Sequence, residues 1–182
     1  MPDIKIEGPD GAFGAYVAKP KAAKASAVLV IQEIFGVNKV MRDLKTTLER
    51  NRGMPECSGR VGSVGYCLDG KLAYLMATRS SADGNVSYYG VGIEGALNEA
   101  KSIAKPYLCH IAAKDKFVPH AAQTQIVATL KGNAKVTTHV YAGCDHAFAR
   151  IGGEHYDAAA TKLANQRTAD FFKTHLGARI TP

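Results

Sequence analysis

The sequence predicts an α/β fold: a mostly parallel sheet flanked by helices, in a single domain covering 1–182. Two observations carry that expectation. Strand-length apolar runs at 27–31, 60–65 and 107–112 alternate with longer stretches whose apolar residues recur at three- and four-residue steps, the pattern of strands joined by crossover helices. Reactive side chains then fall just past those runs, at Glu33, Cys67 and Asp115, and past a later one at 135–141, at His146, where open α/β sheets hold their ligands. No repeat, low-complexity tract or long linker divides the 182 residues, and a chain of this size can bury roughly 70% of its unfolded surface.

Taken in order, Ile4 to Glu7 and Phe13 to Ala18 flank the turn-rich stretch G-P-D-G and read as a hairpin at a sheet edge. Ala27 to Ile31 is uniformly aliphatic, as in a strand covered on both faces. From Val37 the residues Val40, Met41, Leu44 and Leu48 give one helical face, capped by Asn38 and broken by the stretch 51–58 with Gly53 and Pro55. A strand from Arg60 leads into a turn at Cys67 and a helix carrying Leu68, Leu72, Leu75 and Met76. Val86 to Tyr89 and Tyr107 to Ala112 are further strands. Gln123 to Leu130 is helical, Lys135 to Tyr141 is the last strand, and Tyr156 to Leu176 is an alanine-rich closing helix.

Composition narrows the function. The chain is 46% hydrophobic and 21% charged, ordinary for a soluble globular protein. Its longest apolar run is far short of the ~20 residues that span a bilayer, and no basic-then-apolar leader begins it, so the expected location is the cytoplasm. The net charge of +7 comes from scattered Lys and Arg with no dense basic motif, which argues against nucleic acid and suits small anionic substrates. The four cysteines form no C-x-x-C pair and fit a reducing compartment. Cys144, Asp145, His146 and His155 lack a second spaced pair, so no metal is expected.

The stretch R-V-G-S-V-G-Y-C-L-D-G at 60–70 carries the chemistry. Gly65 two residues before Cys67 is the spacing of a nucleophile elbow, a strained strand-to-helix turn that lifts one side chain above a parallel sheet. Cys67, Asp115 and His146 follow the order nucleophile, acid, histidine, which is that of α/β-hydrolases. An imidazole can take the thiol proton to make a thiolate that attacks acyl carbon, and the carboxylate orients that imidazole. The backbone N–H groups of Leu68 and Ile34 are candidate oxyanion donors.

With these residues in place, the chain resembles the dienelactone hydrolase (carboxymethylenebutenolidase) family. The matching stretches are V-I-Q-E-I-F-G-V-N at 30–38, G-K-L-A-Y at 70–74, Y-Y-G-V-G at 88–92, D-K-F-V-P at 115–119, and G-C-D-H-A-F-A-R with the later A-N-Q-R-T. The resemblance implies an α/β-hydrolase-like domain that opens an unsaturated lactone to maleylacetate in aromatic compound degradation, without a cofactor. It assigns Cys67 as nucleophile, with Asp115 and His146 as its partners. Glu33 would contact the thiol and help switch it to thiolate, and Arg150 would hold the substrate carboxylate.

Two departures from the family pattern stand out. Asp69 occupies a position where the family has Gly, so its β-carbon is expected to crowd the turn or its charge to disturb the thiolate. Several tens of residues, including one strand-helix unit, are missing between the helix at Val37 and the elbow strand. The strand at 27–31 then becomes a new sheet edge, expected to pair with the hairpin or with a second copy. The rival expectation is a catalytically impaired remnant acting as a binding or assembly protein.

Overall fold

A computed structural model describes residues 3–9, 11–18, 24–31 and 37–177. Five strands, β3 (Ala25–Ile31), β4 (Cys57–Tyr66), β5 (Gly84–Tyr88), β6 (Tyr107–Ala112) and β7 (Val136–Tyr141), form one sheet in that spatial order, every pair parallel. Between them run α1 (Val37–Arg52), α2 (Leu68–Arg79), a 3₁₀ segment (Ile93–Ser102) and α3 (His120–Lys131), and α4 (Ala158–Leu176) closes the chain. Strands β1 (Asp3–Gly8) and β2 (Gly11–Tyr16) pair antiparallel.

Because each strand lies beside the next one in sequence, right-handed crossovers put every connection on the same face. That face holds the larger core, in which Leu48 of α1, Leu72 and Met76 of α2, Ile93 of the 3₁₀ segment and Ile126 of α3 meet Val61 and Cys109 of the strands. Among the described helices only α4 contributes to the other core, where Ala164, Phe172 and Leu176 pack on Val64, Val86 and Leu108. Polar bonds fasten α4 as well. Tyr88 Oη lies 2.7 Å from Thr168 Oγ1, which is 3.0 Å from His110 Nε2, while Arg167 donates to Tyr141 Oη at 3.2 Å. The A-N-Q-R-T stretch therefore serves this seam, and burial pushes His110 down to about 3, so it stays neutral there.

The edge behaviour differs in part from expectation. The hairpin does not join β3; it forms its own two-stranded sheet, with Ile6 buried where β1 meets α1. Among the described residues β3 pairs only with β4, so its outer edge is unpartnered. Ala27 and Leu29 pack toward the larger core, but Val30, on the face that α4 covers elsewhere, is 55% exposed because no described helix reaches that far.

Boundaries also move. The elbow strand begins at Cys57 because Cys57 already pairs with Ala25. Helix α3 begins at His120, one turn before Gln123, whose N–H donates to the carbonyl of Pro119 at 3.0 Å. Helix α4 begins at Ala158 because Asp157 caps it, its Oδ1 accepting the N–H of Ala160 at 2.8 Å. Replacing that cap, Asp157→Ala, is expected to cost about 1 kcal/mol. Thermal unfolding followed by circular dichroism should then show a midpoint lowered by about 2–4 °C.

Candidate active site

The turn between β4 and α2 leaves no room for side chains at its base. A β-carbon on Gly65 would lie 1.9 Å from the carbonyl oxygen of Asp69, and one on Gly70 would lie 2.7 Å from Cα of Gly90. Both positions are restricted to glycine by contact with main chain. The approach forces Cys67 to φ 60°, a left-handed conformation that a non-glycine residue holds only when its surroundings impose it. Three main-chain bonds do so: Cys67 N–H donates to Tyr88 at 3.1 Å, and the Cys67 carbonyl accepts from Gly70 at 3.0 Å and Val91 at 3.1 Å. The thiol is left exposed above the sheet.

Asp69 does not prevent this turn. Its side chain is buried within the first turn of α2, and its carbonyl makes the close approach to Gly65. Of the two effects expected of it, the electrostatic one remains. Burial pushes the Cys67 thiol above its ordinary value, and the negative charges of Asp69 and Asp115 push the same way against the Leu68 N–H, which favours the thiolate. In its resting state the thiol is protonated at neutral pH.

Asp115 and His146, from loops beyond β6 and β7, are joined directly: Asp115 Oδ2 lies 2.8 Å from His146 Nδ1. The other carboxylate oxygen accepts the N–H of Phe117 at 2.9 Å, which fixes the carboxylate plane. With Nδ1–H given to Asp115, Nε2 is the basic nitrogen. Both side chains are buried, and the imidazole is gripped edge-on by Tyr89 and Phe117, with ring centroids 5.1 and 4.8 Å away. Among the described residues no hydrogen bond joins the thiol to His146. The charge of Asp115 nevertheless acts on Cys67, so the three groups share one electrostatic site at the carboxyl end of the sheet.

Arg150 lies on the loop past His146, exposed and without an ion-pair partner among the described residues, and its charge is felt at Tyr89. Leu68 opens α2 with its N–H beside the sulfur. Glu33 and Ile34 lie outside the described residues. Sequence reasoning missed Tyr89, although it stands at the end of β5 with φ 38° in a site-facing turn, and Asp145, the neighbour of His146. A strand-end position was the available signal for Tyr89.

The dienelactone hydrolase family model matches residues 13–51 and 38–176. A candidate carboxymethylenebutenolidase from Azospirillum brasilense is 46% identical, covering 97% of this chain and 100% of its own length. The chain belongs to the dienelactone hydrolase family. A carboxymethylenebutenolidase from Pseudomonas putida is 32% identical over 92% of this chain and 94% of its own. A candidate dienelactone hydrolase from Klebsiella pneumoniae shares the fold, with a TM-score of 0.83 at 20% identity over 94% of this chain and 97% of that one. Family membership makes the chain a hydrolase by class. The Azospirillum match spans 233 aligned positions against 182 residues here, and the two family segments overlap within α1. The missing unit therefore lies at α1, which stands where two successive family segments meet.

The raised thiol gives a direct test. Alkylation of Cys67 by iodoacetamide, located by mass spectrometry, should follow a pH profile displaced above that of a free thiol. Asp69→Gly, which removes one of the two opposing charges, is expected to move that profile to lower pH; an unmoved profile would show that Asp69 does not act on the sulfur.

Proposed function

We propose that the chain hydrolyses small anionic lactones or esters, of the type in which a dienelactone opens to maleylacetate, by Cys67–His146–Asp115 nucleophilic catalysis. The observation that carries this reading is the Asp115–His146 pair at 2.8 Å, set at the same sheet end as an exposed cysteine on a strained elbow. His146 Nε2 takes the thiol proton as Cys67 Sγ bonds to the acyl carbon, and Asp115 stabilises the imidazolium that forms. The tetrahedral oxyanion receives the N–H of Leu68 and, from the sequence reading, that of Ile34. Collapse breaks the acyl C–O bond, and the leaving oxygen takes the proton from His146. Water then attacks the thioester, giving a proton to His146, and the released thiolate recovers it.

Because the resting thiol is protonated, its ionisation, with the proton passing to His146, has to await bound substrate. Glu33 is the residue that the family resemblance assigns to that switch. Arg150 supplies the matching cation, a planar fork suited to a carboxylate. The relatives' names support a lactone substrate, and the net charge of +7 supports an anionic one. No cofactor is needed for these steps, and a small molecule in the cytoplasm is the proposed encounter.

An alternative is an impaired remnant serving in binding or assembly. One observation favours it: Asp69 stands against the thiolate that catalysis requires. Asp69→Gly separates the two, since a several-fold rise in turnover would identify an active but restrained elbow. Under the hydrolase reading, Cys67→Ala is expected to lower kcat at least about 10³-fold. Arg150→Met should lower kcat/KM for an anionic lactone about 10- to 100-fold, the equivalent of one charge-assisted hydrogen bond, and much less for a neutral ester. If Cys67→Ala retained lactonase turnover, the nucleophile assignment would fail.

We also propose that the open edge of β3 permits pairing with a second copy, since the strand A-S-A-V-L-V-I carries neither charge nor proline to discourage it. Sedimentation should then show a concentration-dependent dimer that Val30→Lys weakens. A species that stays monomeric throughout would overturn this.

A further inference from the structure

The imidazole and its carboxylate partner sit on loops from different strands, and a second carboxylate spans both. Asp145 Oδ1 accepts the main-chain N–H of His146 at 2.7 Å. Its Oδ2 lies 3.3 Å from Lys116 Nζ, on the residue after Asp115, and 3.8 Å from His155 Nε2, on the segment returning to α4. One partly exposed side chain thus gathers the residue that bears the imidazole, the neighbour of the residue that orients it, and the chain leading out of the site.

On their other side the loops are joined by main chain, Ala113 N–H donating to Tyr141 at 3.1 Å and Lys114 N–H to Cys144 at 2.9 Å. Those bonds end before His146. Directly after it Ala147 has φ 61°, an unfavourable conformation for alanine that would relax if the loop were released. The His146 N–H, Lys116 and His155 all favour the charged form, so the Asp145 carboxyl is held below its ordinary value and the contacts persist at neutral pH.

We propose that Asp145 is a positioning residue for His146: by tying the His146 main chain to Lys116 and His155, it fixes the imidazole on Asp115 and toward the thiol. Asp145 makes its contacts with His146, Lys116 and His155, not with the thiol. Its effect passes through the His146–Asp115 hydrogen bond, a geometry in which about 1 Å of displacement is enough to cost roughly 10²-fold in rate. The proposal rests on the hydrolase reading for its kinetic consequence, but its structural consequence is measurable without turnover.

The test compares Asp145→Ala, which removes every contact, with Asp145→Asn, which keeps the acceptor for the His146 N–H, and Lys116→Met, which removes one charge. Proton NMR of the parent should show a downfield, exchange-protected His146 Nδ1–H, assigned by its loss in His146→Gln. Asp145→Ala is expected to broaden or abolish that signal, and to lower kcat for p-nitrophenyl acetate about 10- to 100-fold with KM within about twofold. Asp145→Asn should restore most of both, and Lys116→Met should cause a smaller loss of each. If Asp145→Ala fails to fold, the ordering of the other two variants decides.

Retention of the signal and of kcat in Asp145→Ala would overturn the proposal. So would a variant that only melts at lower temperature while keeping both below its melting point. Absence of the signal from the parent would also sink it, since the pair would not be ordered. A parent that shows the signal but hydrolyses no ester would defeat the hydrolase reading alone, leaving the NMR arm to decide on Asp145.

Discussion

Everything at the site depends on one steric constraint, the bare α-carbon of Gly65 against the carbonyl of Asp69. A β-carbon there would meet that oxygen at 1.9 Å, so any side chain at 65 would drive β4 and α2 apart. Separation would break the bonds from Gly70 and Val91 to the Cys67 carbonyl, and with them the left-handed backbone that raises the thiol above the sheet. The elbow is a packing device before it is a chemical one. Its second layer follows the same logic, since Gly70 must clear Gly90 for the segment after β5 to bring Tyr89 against His146.

The missing segment acts at a distance from that constraint. Losing a strand-helix unit at α1 leaves β3 and β4 adjacent in both sequence and space, so the elbow strand keeps neighbours on both sides. What changes is cover: one face of the sheet rests, among the described helices, on α4 alone, and Val30 at the far edge faces solvent. The polar seam of Tyr88, His110, Thr168 and Arg167 gains weight from this, because it holds the one described helix on that face against the strands.

Strands and helices with strong periodicity were legible in the sequence, as was the placement of Cys67, Asp115 and His146 past the ends of strands, because strand ends and chain order are one-dimensional features. The 3₁₀ segment Ile93–Ser102 was not: its buried residues are only Ile93, Ala96 and Ala100, and its conformation is fixed by packing on α2 and α3. The hairpin's separation from β3 was also hidden, since strand pairing is a competition between surfaces that no local pattern records. Asp145 was invisible as a brace for a similar reason. Its partners Lys116 and His155 lie on segments that only the fold brings beside it.

In the mechanism we propose, a protonated resting thiol suits an exposed cysteine. The thiolate is both the attacking species and the form most open to oxidation, so a site that ionises only with substrate present limits damage between turnovers. Asp115 would serve both states under that mechanism, raising the thiol while the site is empty and stabilising the imidazolium once the proton has moved. Asp69 acts on the first of these, raising the thiol alongside Asp115. Under the proposed mechanism the charge of Asp69 opposes the ionisation that attack requires, so position 69, rather than the elbow's geometry, is where substitution is expected to act on the thiol.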